Sequence, residues 1–255
     1  MGHLMSLNLP DSKPWRHVLG LIDAGGSTRE VAGQAARAAE NALSQASNDP
    51  AFQATAEILV ALPLAARGPG FSGYIQDLGV DDEALSSRAA FLAALSSALD
   101  RTTATTDLGE LARMELVRAL SSEFDARLPA LFPETPADVR TALGGLAGGK
   151  GFAGFARQFF AGLTHQALSY YLSRALAAQT GEERRFSNDA DRVRFEQALR
   201  QHAWEASFVV EEYAAGWYGK NIWQGDGPTP ANIRRFASYA FTKLRRELGR
   251  RRNDE

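Results

Sequence analysis

Apolar residues recur along most of the chain at intervals of three and four, the period of a helix with one face turned to a core. Phe152, Phe155, Phe159, Leu163, Ala167 and Tyr170 form such a stripe, and Leu168, Leu172 and Leu176 carry apolar character to a second face. A helix over about 152–179, apolar on two faces, is expected to lie between other helices, with Gly181 as its C-cap. A second helix is expected from about Ala190 to Ala215 on Phe195, Leu199, Ala203, Ala206, Val210 and Tyr213, a stripe that runs on to Trp217. The last helix carries Ile233, Phe236, Ala237, Ala240, Leu244 and Leu248 on one face.

Polar punctuation marks the helix starts. Ser27 with Glu30 reads as a capping box before an Ala-rich helix to about Ser47, and Asp49-Pro50 opens a helix to about Ala66. Gly68-Pro69-Gly70 breaks the chain. Asp81 is expected to cap a helix to about Asp100, and Asp107 with Glu110 a helix to about Leu128. Thr135-Pro136 opens a short helix ending at Gly144-Gly145, and Thr229-Pro230 opens the last one. The reason is common to all: a short polar side chain accepts from orphan backbone N–H groups, and proline has no N–H to lose there. No strand pair, fixed-period repeat or sustained heptad is legible, so the expectation is an all-α, multi-helix bundle of about nine helices with no significant sheet.

Composition supports that picture. The chain of 255 residues holds 44 Ala and 29 Leu against 9 Val and 5 Ile, a choice that favours helix over strand. There is no cysteine, which excludes disulfides, thiolate metal sites and cysteine nucleophiles. The longest apolar run, Ile58 to Ala66, contains Pro63 and is too short to cross a bilayer, which takes about 20 apolar residues. Met1 to Pro10 lacks the basic start and apolar stretch of a signal peptide, and a cytoplasmic location is expected.

Charge changes the picture further. Residues 1–150 carry 12 Lys+Arg and 18 Asp+Glu (−6), whereas 151–255 carry 16 and 12 (+4). The change falls at the glycine-rich segment Gly144 to Gly151. The expected organisation is an acidic bundle over 1–143, a hinge or turn at 144–151 and a basic C-terminal region over 152–255, or one continuous domain. That segment also has the glycine and lysine spacing of a P-loop, but a helix precedes it where a strand should, and Gly151 stands where the Mg²⁺-binding hydroxyl belongs. It reads as a hinge.

Three groups of residues are candidate sites. On the last helix Arg234, Arg235, Lys243, Arg245, Arg246 and Arg250 oppose the apolar stripe, with Tyr239 among them. Residues 233–252 hold eight basic residues and one acidic, Glu247. Such a face suits an acidic protein surface, or phosphate contact with stacking on the tyrosine. Gly216 to Pro228 reads as a glycine-rich loop whose Trp217, Tyr218 and Trp223 either pin it onto the core or serve as contact aromatics. His165 on one central helix, and His202 with Glu205 three residues on along the next, are material for a polar pocket. The single reversed His-x-x-Glu lacks the paired Glu-x-x-His sets of di-iron bundles, so no metal and no cofactor are expected. No nucleophile elbow or acid/base pair is legible, Glu211 and Glu212 pointing about 100° apart on a helix. These features lead to three readings. The first is a non-enzymatic helical interaction module, a subunit or adaptor with protein partners. The second is a nucleic-acid-binding protein using the last helix. The third is an enzyme or ligand carrier built on His165, His202 and Glu205.

Overall fold

The computed structural model describes residues 12–39, 49–102, 106–128, 133–223 and 227–251. These residues form eleven α-helices and one 3₁₀ turn: α1 (Lys13–Asp23), α2 (Thr28–Ala38), α3 (Pro50–Arg67), α4 (Phe71–Asp77), the 3₁₀ turn (Asp82–Ser86), α5 (Arg88–Thr102), α6 (Asp107–Arg127), α7 (Pro136–Gly144), α8 (Gly149–Ala178), α9 (Asp189–Ala206), α10 (Phe208–Trp223) and α11 (Pro230–Arg251). No strand occurs among the described residues, only an isolated bridge between Thr180 and Phe186. The fold is all-α.

Several starts are built as their residues dictate. Ser27 accepts from the Glu30 backbone while Glu30 accepts from that of Ser27. Asp49 accepts from the Phe52 N–H, and Thr135 and Asp138 form a second reciprocal box. Beyond Ala39 the expected extension toward Ser47 lies outside the described residues.

The eleven described helices exceed the expected nine, and α1, α4 and a break at Ser207 are the elements that the sequence did not mark. Trp15, Val18 and Ile22 give α1 a buried stripe behind Pro14, and Phe71 and Ile75 do the same for α4. Asp81 makes no cap; a 3₁₀ turn intervenes, and Ser87 caps α5 by accepting from Ala90 N–H at 3.1 Å. Thr106, not Asp107, caps α6. The helix expected over 190–215 is broken at Ser207. There the Ser207 hydroxyl donates to the Trp204 carbonyl at 2.6 Å, competing with the backbone ladder, and the Arg157 guanidinium donates to the same carbonyl at 3.3 Å. Gly181 does not cap α8, which ends on Gln179; Gly181 turns the following loop back to Phe186.

α8 is the axis of the molecule. It packs against α6, α9 and α10, and touches α2. α11 lies across α2, α3, α9 and α10. One buried hydrophobic cluster runs from Trp15 to Leu248 and draws on both sides of residues 144–151. In that segment Leu146 and Ala147 are buried, and Gly149 to Gly151 already belong to α8. A Cβ at Gly151 would stand 2.6 Å from the Gly145 carbonyl oxygen, so glycine is required there by close backbone packing.

Candidate functional site

Docking the apolar stripe of α11 displays its basic face. Ile233, Phe236, Ala237, Ala240, Leu244 and Leu248 are buried, and Arg234, Arg235, Tyr239, Arg246 and Arg250 are exposed. At 100° per residue, Arg235, Tyr239, Arg246 and Arg250 fall on one line along the helix. Lys243 and Arg245 sit half-buried at its edges. The Lys243 ammonium lies 5.1 Å from the Tyr239 ring and 6.0 Å from that of Tyr213 on α10. Arg234 pairs with Glu57 at 3.2 Å, Arg250 pairs with Glu247 at 2.8 Å, and Arg245 is also engaged within the chain.

The aromatic segment expected as a loop from Gly216 is helical as far as Trp223. Tyr218 is fully buried, stacked on Phe152 with ring centroids 4.0 Å apart, and burial pushes its phenol well above the usual tyrosine range. Its hydroxyl has no hydrogen-bond partner among the described residues. Trp217 is half-buried and stacks on Phe236 at 4.3 Å. Trp223 ends α10, and its side chain lies outside the described residues. Apolar neighbours on α8 and α11 draw these rings inward. Despite its glycines, the segment keeps the three- and four-residue spacing of α10, through Val210, Ala214 and Tyr218.

His165, His202 and Glu205 are distributed over different surroundings. His202 is buried on the face of α9 that carries Leu199, Ala203 and Ala206, whereas Glu205 is half-buried and accepts from Gln201. Neither borders the pocket that His165 enters. That pocket, about 310 Å³, opens between α6, α8 and α9 and is bordered by Glu115, Arg118, Gln158, Gly162, His165, Arg200 and Trp204, among others. The His165 imidazole contacts the Ser169 hydroxyl at 3.3 Å and hydrogen-bonds the Glu196 backbone. Burial, reinforced by the fields of Arg200 and Arg118, pulls its pKa down to about 4, so the ring is neutral near pH 7.

Opposite it, Glu115 is 4% exposed and rests directly on α8. A Cβ at Gly162 would lie 2.0 Å from its carboxylate oxygen. A glycine inside a helix costs about 1 kcal/mol relative to alanine, and here it makes room for a buried carboxylate. Burial pushes that carboxyl above the usual range against the opposing pull of Arg118, Gln166 and Arg200. Arg118 holds it at 2.7 Å. Trp204, one wall of the pocket, has the Arg157 guanidinium 4.2 Å from its ring centroid. Arg157 also pairs with Glu211 at 2.6 Å and approaches the exposed Phe208 ring.

Sequence reasoning missed Glu115, Arg118, Arg157, Arg200 and Trp204. A partial signal existed: Glu115 occupies the buried stripe Ala112, Leu116, Ala119, Leu120 of α6, where a charge is out of place. No group of three or more His, Asp or Glu side chains suited to a metal ion occurs among the described residues. No described helix is long and apolar enough to cross a membrane. Comparisons with protein-family models, curated proteins and solved structures find no match.

Proposed function

We propose that the chain is a non-enzymatic helical interaction module, a subunit or adaptor of a larger assembly, that meets an acidic protein surface through the outer face of α11. The observation supporting this reading is the line of Arg235, Tyr239, Arg246 and Arg250, exposed together because the opposite face of the same helix is consumed by the core. Arginine and tyrosine are the residue types enriched where binding energy concentrates, since each combines a large contact area with hydrogen-bonding capacity. A protein partner is favoured over a nucleic acid by the charge. The whole chain carries −2, and Arg234 and Arg250 already pair with carboxylates of the chain. A polyanion needs several cations free to replace its counterions.

The test is Arg235→Glu/Arg246→Glu/Arg250→Glu. Exposed ion pairs contribute only ~0–1 kcal/mol, so the variant is expected to fold with a melting temperature close to the parent's. Affinity for partners captured by the parent should fall at least tenfold, and parent binding should weaken as salt rises. A folded variant that retains every partner of the parent refutes the reading. A gel shift by the parent that the variant loses, with log affinity falling linearly in log salt, would replace it with nucleic-acid binding.

A further inference from the structure

The pocket between α6, α8 and α9 is built differently from a structural ion pair. Neutralising Glu115 requires one cation, and Arg118 supplies it at 2.7 Å. Yet a second guanidinium, Arg200, stands on the same pocket from α9, and its field reaches both Glu115 and His165. Arg200 forms no ion pair among the described residues, and its residue is exposed at the mouth. Two cations therefore face one carboxylate, leaving the pocket with one positive charge in excess. The buried end is lined by acceptors. The Glu115 carboxylate and the neutral His165 ring lie there, with the half-buried Gln158 beside them and Ser122 exposed at the rim. The Trp204 ring forms a side wall. Arg157, which stiffens that ring, is itself neutralised by Glu211 and adds no free charge.

Gly162 stands inside the longest helix of the chain, where alanine would serve better, and its one evident role is to seat Glu115 at the pocket floor. A volume of about 310 Å³ lies at the small end of the usual range for ligand sites, ~300–1,000 Å³. We infer that this pocket binds a small organic oxyanion, a phosphate monoester or a carboxylate, with its anionic group on Arg118 and Arg200, a neighbouring hydroxyl or amino group donating to Glu115 beside the His165 ring, and its carbon skeleton against Trp204. Guanidinium forks match both oxyanions in geometry, and the acceptors at the buried end select for a donor beside the charge. A bare inorganic anion satisfies only the first half of the site.

The experiment is isothermal titration calorimetry on the full chain with inorganic phosphate, glycerol 3-phosphate, succinate and malate as probes. The hydroxylated probes separate the phosphate from the carboxylate class, and the plain anions show what the donor adds. Saturable binding by glycerol 3-phosphate or malate is expected, at least tenfold tighter than by the plain anion of the same class. Arg200→Ala, which breaks no ion pair, should weaken it at least tenfold with the unliganded melting temperature unchanged. Arg118→Lys keeps the charge beside Glu115 while losing the fork, and should weaken it as well. The His165 ring resonances should shift on titration in the parent. The α11 variant described above should bind as the parent does, which separates this pocket from the partner surface. Absence of saturable binding by all four probes overturns the inference. So does unchanged affinity in Arg200→Ala, or loss of binding in the α11 variant alone.

Discussion

His165 enters the bundle as a neutral ring, and the consequence is a pH dependence with a definite sign. An unfolded histidine takes up its proton near pH 6.5, whereas the folded one does so only near pH 4. Between those values the unfolded chain binds more protons. Stability from this residue is therefore intact above about pH 6.5 and is lost as pH falls toward 4. Glu115 acts in the opposite direction, because its raised pKa favours the folded state on acidification, and Arg118 and Arg200 face both groups. A comparison at one position isolates the histidine. The stability advantage of the parent over His165→Gln should shrink by roughly 3 kcal/mol between pH 7 and pH 4. Urea denaturation across that range measures it, and a constant difference would mean that the ring is not held neutral. His165 itself was evident as a candidate, because histidine is rare and lies beside an apolar stripe. Its partner was not, because a glutamate on an apolar helix face announces only an anomaly.

Individual helices were legible where the decisive contact spans three or four residues. Ser27 with Glu30, Asp49 with Phe52 and Thr135 with Asp138 form within one turn, so their chemistry is local. Asp81 failed as a cap because the start of α5 is set from elsewhere. Glu134 accepts from the Arg88 backbone at 2.5 Å and also pairs with the Arg88 side chain, placing the first turn after Ser87. The predicted consequence is an asymmetry. Ser87→Ala should cost about 1 kcal/mol, the usual cost of a lost cap, while Asp81→Ala should stay within about 0.5 kcal/mol. Chemical denaturation midpoints of the two variants decide it, and equal losses would restore Asp81 as the cap. The break at Ser207 was hidden for a related reason. Serine within an apolar stripe is tolerated in a continuous helix, and Arg157, fifty residues earlier on α8, joins the Ser207 hydroxyl on the Trp204 carbonyl that the kink exposes.

Across the whole molecule the buried cluster is continuous, and α8 belongs to it along its length. Phe152, just past the glycine-rich segment, stacks on Tyr218 of α10 and lies within 5.7 Å, centroid to centroid, of Phe236 on α11. Farther along α8, Phe160 reaches Phe241 of α11, whose ring contacts Phe52 of α3. The halves that differ in charge thus share their aromatic packing. Thermal unfolding is expected as one cooperative transition with equal calorimetric and van't Hoff enthalpies. Phe152→Ala should cost about 3–5 kcal/mol and lower that single transition. Two resolved transitions, only one of them moved by Phe152→Ala, would establish two separately folding units on either side of residues 144–151.

Fold class and most helix starts follow from the sequence alone, because a helix is a set of contacts between a residue and its third or fourth neighbour. Ala/Leu bias, caps and apolar periodicity report directly on those contacts. The basic line on α11 was legible for the same reason, since one helix supplies both its apolar and its charged face. Tertiary structure alone decided that Trp217 and Tyr218 turn inward, that His165 parts from His202 and Glu205, and that Glu115, Arg118 and Arg200 meet it instead. Those outcomes depend on which helices become neighbours and how each is rotated about its axis. Both are settled by packing across the whole core, where one side chain's place is fixed by residues distant in the chain.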